Sequence, residues 1–225
     1  EKQEKKMYEI NDLYDLDHTQ AKPYLLRFKY PWEALAGLKA FIEELGETLD
    51  KNEYEEISPK VWVHKTAKVA PTAFLGAPCI VGAGTEVRHC AFVRGSALVG
   101  QNCVVGNSVE LKNVILFDNV QTPHYNYVGD SILGYKSHMG AGSITSNVKS
   151  DKTPIVVKDG EERIETGLKK MGAMLGDFVE VGCNSVLNPG TVIGRRTNVY
   201  PLSCVRGVVK ENGIYKNKNE IVSKK

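Results

Sequence analysis

The sequence predicts an all-β chain folded as a parallel β-helix, a solenoid of short strands, with one helical segment before it. Two observations predict it. From Ile57 to Phe117 an aliphatic or aromatic residue returns at every sixth position: Ile57, Val63, Val69, Leu75, Val81, Val87, Val93, Val99, Val105, Leu111 and Phe117. Four residues after each start stands a small or β-branched residue, such as Ala67, Ala73, Cys79, Thr85 and Ala91. A helix needs an apolar period near 3.6 and a two-faced strand a period of 2, so a strict six fits only a strand and a turn repeated. Each hexad is then one side of a coil, with its large residue toward the axis and its small residue in the corner.

The first 56 residues lie outside this pattern. Glu1 to Lys6 is a charge run with no binding role assigned. Residues 7 to 30 are aromatic without a clear period and are expected to drape over a neighbouring surface. From Pro31 the spacing turns helical, with Leu35, Leu38, Ile42 and Leu45 in one stripe and Gly46 as the expected stop. That stripe needs cover, either from a flank of the β-helix or from a partner protein.

After Phe117 the six-residue register fails from Asp118 to Asn126 and resumes at Tyr127, Leu133 and Met139. It fails again over about 147–170, where Ile155 to Gly160 followed by Arg163-Ile164 predicts a protruding hairpin with an Asp159-Gly160 turn. Leu175, Val181, Leu187, Ile193, Val199 and Val205 carry the coils on. The organisation is therefore an arm and helix over 1–56, a β-helix over 57–207 and a terminal hairpin and tail over 208–225, with Asn212-Gly213 as the hairpin's turn. Twenty hexads make six to seven triangular coils and a rod of roughly 30 Å.

Hydrophobic residues make up 42% and charged residues 25%, the balance of an ordinary globular chain. A net charge of +2 gives no bulk attraction for nucleic acid, and no apolar run reaches the length of a membrane span. With no signal-peptide core after Lys6, the expected compartment is the cytoplasm. Five cysteines include Cys79, Cys103 and Cys183 at internal repeat positions, read as small core residues under reducing conditions. Among His18, His64, His89, His124 and His138 no pair lies five apart as in the zinc-binding hexapeptide-repeat carbonic anhydrases, so no metal site is expected.

A regular solenoid has repetitive walls, so breaks in the repeat are where specific groups are presented. The first break presents His124, a group suited to general-base work but equally able to be structural. Arg94 and Lys112 lie eighteen apart, each just after an inward residue, which stacks them about 4.8 Å apart along the axis. Two such cations repel unless an anion lies between them, and they suit either a phosphate or a solvated face.

The segments Val105 to Lys112, His124 to Gly134 and Gly140 to Asn147 resemble the C-terminal acetyltransferase domain of the bifunctional glucosamine-1-phosphate N-acetyltransferase/uridylyltransferases. Thr166 to Ala173 and Gly182 to Gly190 are similar to the sugar-1-phosphate nucleotidylyltransferase/acetyltransferase branch of that family. The resemblance implies a left-handed β-helix, a homotrimer with sites between subunits, and acetyl-CoA as co-substrate. It implies that His124 is the base and the Ala141 N–H the oxyanion donor. Arg94 and Lys112 would hold the sugar phosphate, and Tyr127, His138, Asn147 and Lys152 would contact the acceptor. Ala141, Cys183 and Pro201 would line the coenzyme. Where the longer-studied branch has Asn, this chain has His138, and Val148-Lys149-Ser150 replaces Tyr-Asp-Gly after Asn147. The implied acceptor is glucosamine or galactosamine 1-phosphate, with another amino sugar or nucleotide sugar, or a non-catalytic scaffold for a separate nucleotidyltransferase, as alternatives. The 56 residues before the repeat are too few for a Gly-rich nucleotide-binding domain, so pyrophosphorylase activity is not expected.

Overall fold

The computed structural model describes residues 7–217 and 220–224. The charge run Glu1 to Lys6, residues 218–219 and Lys225 lie outside the described residues. Three parallel ladders form the faces of a triangular rod. Face A runs from Val61–His64 through Cys79–Val81 and Ala97–Val99 to Val208–Val209, face B from Lys68–Val69 to Gly213–Asn217, and face C from Phe74–Leu75 to Cys204–Val205. Seven coils have all three sides and an eighth has two, at or just above the expected number, which makes a rod of roughly 34 Å.

The core sits on the axis. Along face A, Val63 pairs with Val81, Val81 with Val99, Val99 with Leu116, and Leu116 with Leu133. Leu116, not Phe117, therefore holds the inward place in the fourth coil. The corner from face C to face A is one residue shorter there, since Val93 to Ala97 is four steps but Leu111 to Val114 is three. The apparent break at 118–126 follows from that deletion. Gln121–His124 is an ordinary face B strand paired with Val104–Asn107, and buried Thr122 fills the inward place with its hydroxyl donating to the Val104 carbonyl at 3.1 Å. His124 thus stands on an unbroken rod, and Val128 rather than Tyr127 points inward on face C. Ile57 is not a coil start either: it is half exposed in Tyr54–Ser58, antiparallel to the first face A strand.

The outward residues of face A are also apolar, with Trp62, Ile80, Leu98, Ile115, Ile132, Met174 and Val192 all buried. The N-terminal segment covers them. Tyr8 accepts a hydrogen bond from the Glu211 N–H in the last coil, Tyr14 packs on Phe117 at 5.0 Å, and His18 stacks on Tyr135 at 3.6 Å. The α-helix Leu38–Glu47 follows a 3-10 turn at Pro31–Leu35 and buries Leu38 and Ile42 against the first coils. The stripe is therefore spent on the chain's own rod, which removes the helix as a docking element for a partner. Gly46 does not end the helix. It lies in the helix's last turn, where a Cβ would come within 2.1 Å of the Trp62 ring and only glycine leaves room for that packing.

The predicted hairpin exists, Val156–Asp159 against Glu162–Glu165 with Gly160 at φ 59°, but it does not protrude. Ile155 and Val157 are fully buried, and Asp159 pairs with Lys210 on the eighth coil. At the C-terminus Asn212-Gly213 forms a coil corner, and the hairpin pairs Gly213–Asn217 with Glu220–Ser223. Cys79 and Cys103 are core residues, their thiols pushed up to about 12 by burial. Cys183 is exposed on a corner instead. No helix among the described residues is long and apolar enough to cross a membrane.

Candidate active site

The corner between faces B and C stacks one residue per coil. The N–H of Tyr125 donates to Asn107 O at 2.9 Å, Gly142 to His124 O at 3.0 Å, Asn184 to Ala141 O at 2.9 Å, and Leu202 to Cys183 O at 2.9 Å. Asn107, His124, Ala141, Cys183 and Pro201 therefore form one column along the rod. The His124 ring is exposed and makes no hydrogen bond among the described residues, which leaves both nitrogens open to a ligand. The N–H of Ala141 in the coil above it donates to no carbonyl among the described residues. The corner is held by Asn126, buried where the other coils carry Ala91, Val109 or Ser143. Its amide donates to Gly140 O and Ser143 O at 2.9 Å, and its Oδ1 accepts the His124 N–H at 3.2 Å. The sequence reading missed Asn126, although an amide in a column of small residues is a signal.

The other end of face C carries the second cluster. Arg94 and Lys112 occupy equivalent places in successive coils, as the spacing requires. No external anion is needed to keep them there, because the chain supplies its own. Arg94 Nη1 lies 3.0 Å from Glu110 Oε1, and Lys112 Nζ lies 2.9 and 3.1 Å from the two oxygens of Asp130. Asp130 is 4% exposed and also accepts from Asn113 Nδ2 at 2.8 Å and Asn147 Nδ2 at 2.5 Å. Asn147 further donates to the Tyr127 hydroxyl at 3.2 Å. Burial first, then the nearby Asp130 and Glu110 carboxylates, raises the Tyr127 pKa above its usual value. Tyr127 thus stays neutral and can donate a hydrogen bond near neutral pH. Asp130, which joins groups from three coils, was not singled out from sequence.

His124 and the Lys112 cluster lie at opposite ends of one strand width. Between them the chain turns the corner at Tyr125, whose φ is 51°, and then runs along Tyr127 to Gly129 on face C. Not every expected residue joins them. His138 lies on face B with Nδ1 2.8 Å from Glu180 Oε2, in a cleft with Lys136 and Phe178. Lys152 is exposed at the start of the inserted segment and makes no side-chain hydrogen bond or ion pair among the described residues.

A scan of known family descriptions finds none that matches. Individual proteins do match. A protein named "Bifunctional protein GlmU" of Methanococcus maripaludis is 30% identical over 98% of this chain and 54% of its own length. By sequence the chain is a relative of these bifunctional proteins. A "Bifunctional sugar-1-phosphate nucleotidylyltransferase/acetyltransferase" of Sulfurisphaera tokodaii is 34% identical over 41% of this chain and 23% of its own length. At its fullest match the chain spans about half the length of the curated relatives. Among solved structures, a hexapeptide transferase family protein of Anaplasma phagocytophilum overlays at TM-score 0.35 with 14% identity, covering 72% of this chain and 78% of that one, a likeness too loose to inform the site.

Proposed function

We propose that this chain is an acetyl-CoA-dependent N-acetyltransferase acting on the amine of a hexosamine 1-phosphate, glucosamine or galactosamine 1-phosphate, in nucleotide-sugar biosynthesis in the cytoplasm. The observation that carries the reading is the corner column, in which an imidazole and an N–H without partners among the described residues, then two small or flat coenzyme-side residues, follow one another coil by coil. Acetyl-CoA lies along Ala141, Cys183 and Pro201. The acceptor lies on face C with its amine at His124 and its phosphate toward Arg94 and Lys112, while Tyr127 and Asn147 meet the sugar.

His124 takes a proton from the amine as its nitrogen attacks the thioester carbonyl. The carbonyl oxygen becomes an oxyanion that the Ala141 N–H stabilises. Collapse expels the coenzyme thiolate, which takes the proton back from His124. His138, on face B, stands away from this face in one chain and reaches an acceptor only from a neighbouring subunit, while the exposed Lys152 follows Asn147 in the inserted segment. The homotrimer is supported by the bare outer surface of face C, where Phe74 and Phe92 are 60% and 43% exposed with rings 5.7 Å apart.

The test is thiol release from acetyl-CoA with a panel of amino sugars, their 1-phosphates and nucleotide-linked amino sugars, for the intact chain and His124→Ala. Release that requires a hexosamine 1-phosphate and falls about 10²- to 10⁴-fold in the variant is expected. Release only with a nucleotide sugar would move the acceptor, and none with any acceptor would refute the acetyltransferase.

A further inference from the structure

Beside Lys112 the rod does not end in open solvent. A cleft of about 350 Å³ opens where the corner between faces C and A meets two segments outside the repeat. Its basic groups are Lys39 from the helix Leu38–Glu47, Lys112 from the third coil and Lys170 from the end of the inserted segment. Ser96 and Asn113 add neutral donors, and Asp130 is the one acidic residue lining it. Both outside segments are tied down. Asn113 Nδ2 reaches Leu35 O at 3.4 Å, and the N–H groups of Met171 and Gly172 donate to Asn147 O and Asp130 O at 3.0 and 2.8 Å.

The charges in this cleft do not cancel. Asp130 is saturated by Lys112, Asn113 and Asn147, while the side chains of Lys39 and Lys170 have no hydrogen bond or ion pair among the described residues. Three separate parts of the chain thus bring three cations to one cleft around one carboxylate, an excess of two positive charges. Like charges gathered by independent segments disfavour the fold unless an anion joins them. Lys112 spends two of its three N–H donors on Asp130, which leaves one for a ligand.

The geometry points to a phosphate-monoester pocket formed by Lys39, Lys112 and Lys170, in which the N-terminal helix and the inserted segment complete the site for the phosphate of the acceptor. A dianionic monoester matches the excess charge, and its oxygens match the ammonium, hydroxyl and amide donors at the walls. This deepens the reading above and rests on it for the identity of the acceptor, though not for the existence of an anion site.

The test is calorimetric binding of inorganic phosphate, glucosamine 1-phosphate and unphosphorylated glucosamine to the full chain and to Lys39→Met and Lys170→Met, with thermal melts to verify folding. Each variant should weaken glucosamine 1-phosphate about tenfold and inorganic phosphate in parallel, with no change for glucosamine. Where a melt departs from wild type, Lys39→Gln or Lys170→Gln replaces that variant, removing the charge while keeping a polar side chain, and should weaken phosphate to the same extent. Unchanged phosphate affinity in folded variants overturns the pocket. Inorganic phosphate binding as tightly as the sugar phosphate overturns its assignment to the acceptor. Turnover separates the two ideas: phosphate binding that depends on the lysines without any acetyl transfer sinks the acetyltransferase, and normal transfer with lysine-independent phosphate affinity sinks the pocket alone.

Discussion

Removing the buried Asp130 carboxylate should cost this protein substantial stability, because three coils converge on it. Asp130→Ala deletes two contacts from Lys112 Nζ and one each from Asn113 and Asn147. Breaking a buried pair by removing one partner costs about 3–5 kcal/mol when the remaining charge is trapped. Here the remaining charge is not fully trapped, since the Lys112 side chain is 27% exposed against 4% for Asp130, and the two amides can rotate toward water. The lower end, about 3 kcal/mol, is therefore expected. At about 2–4 °C per kcal/mol for a chain of this size, the melting temperature should fall by about 6–12 °C. Asp130→Asn keeps the shape and one acceptor oxygen and should lose about half as much. The discriminating measurement is a double-mutant cycle with Lys112→Met, read by urea denaturation. A coupling of at least about 1 kcal/mol is expected for groups in contact. A coupling within about 0.3 kcal/mol of zero would show that Asp130 and Lys112 do not act as a pair, and would remove the cluster as a stabilising unit.

Gly46→Ala should destabilise by about 1–3 kcal/mol or more in denaturant melts, because the new methyl meets the Trp62 ring rather than a flexible chain end. Native alkylation followed by mass spectrometry should label Cys90, Cys183 and Cys204 and spare Cys79 and Cys103, whose thiols are buried and raised to about 12. Acetyl-CoA should slow the labelling of Cys183 if the coenzyme follows the corner column. Burial also raises the Asp177 carboxyl above its ordinary value of 3.8, against the lowering effect of the Asp15 N–H and Arg195. The folded state therefore holds that proton more tightly, and its contribution to stability is lost as pH rises from 3.8 through the raised value. Asp177→Asn should flatten the stability profile across that window, measured by urea melts at successive pH values.

The rod was legible because its packing unit is written in the chain at a fixed interval, and one side of a coil cannot change length without leaving a trace. That trace was misread. Deletions between Leu111 and Val114 and between Val128 and Ser131 each move the later inward residues by one place, and Thr122 hides the continuing core behind a hydroxyl. The stretch around His124 was singled out as an interruption, yet its column with Ala141, Cys183 and Pro201 is a product of regularity. The covered face was also written in the sequence, at steps of seventeen or eighteen rather than six, in Trp62, Ile80, Leu98, Ile115 and Ile132. Asp130 and Lys170 were not legible. Their surroundings come from segments far apart in sequence, and a carboxylate in the middle of Gly129-Asp130-Ser131 looks like any turn residue until its partners converge.

A solenoid whose coils touch only their neighbours behaves as a linear chain of weakly coupled units, and it can fray from either end while its middle persists. The N-terminal segment changes that behaviour. It binds the eighth coil through Tyr8, the fourth and fifth through Tyr14 and His18, and the first through the close approach of Gly46 to Trp62. A tie running the length of the rod couples its two ends directly, so the loss of a terminal coil also releases cover from the centre. Melting should then be concerted, with one transition by every probe, where an uncovered stack of the same coils would come apart piece by piece.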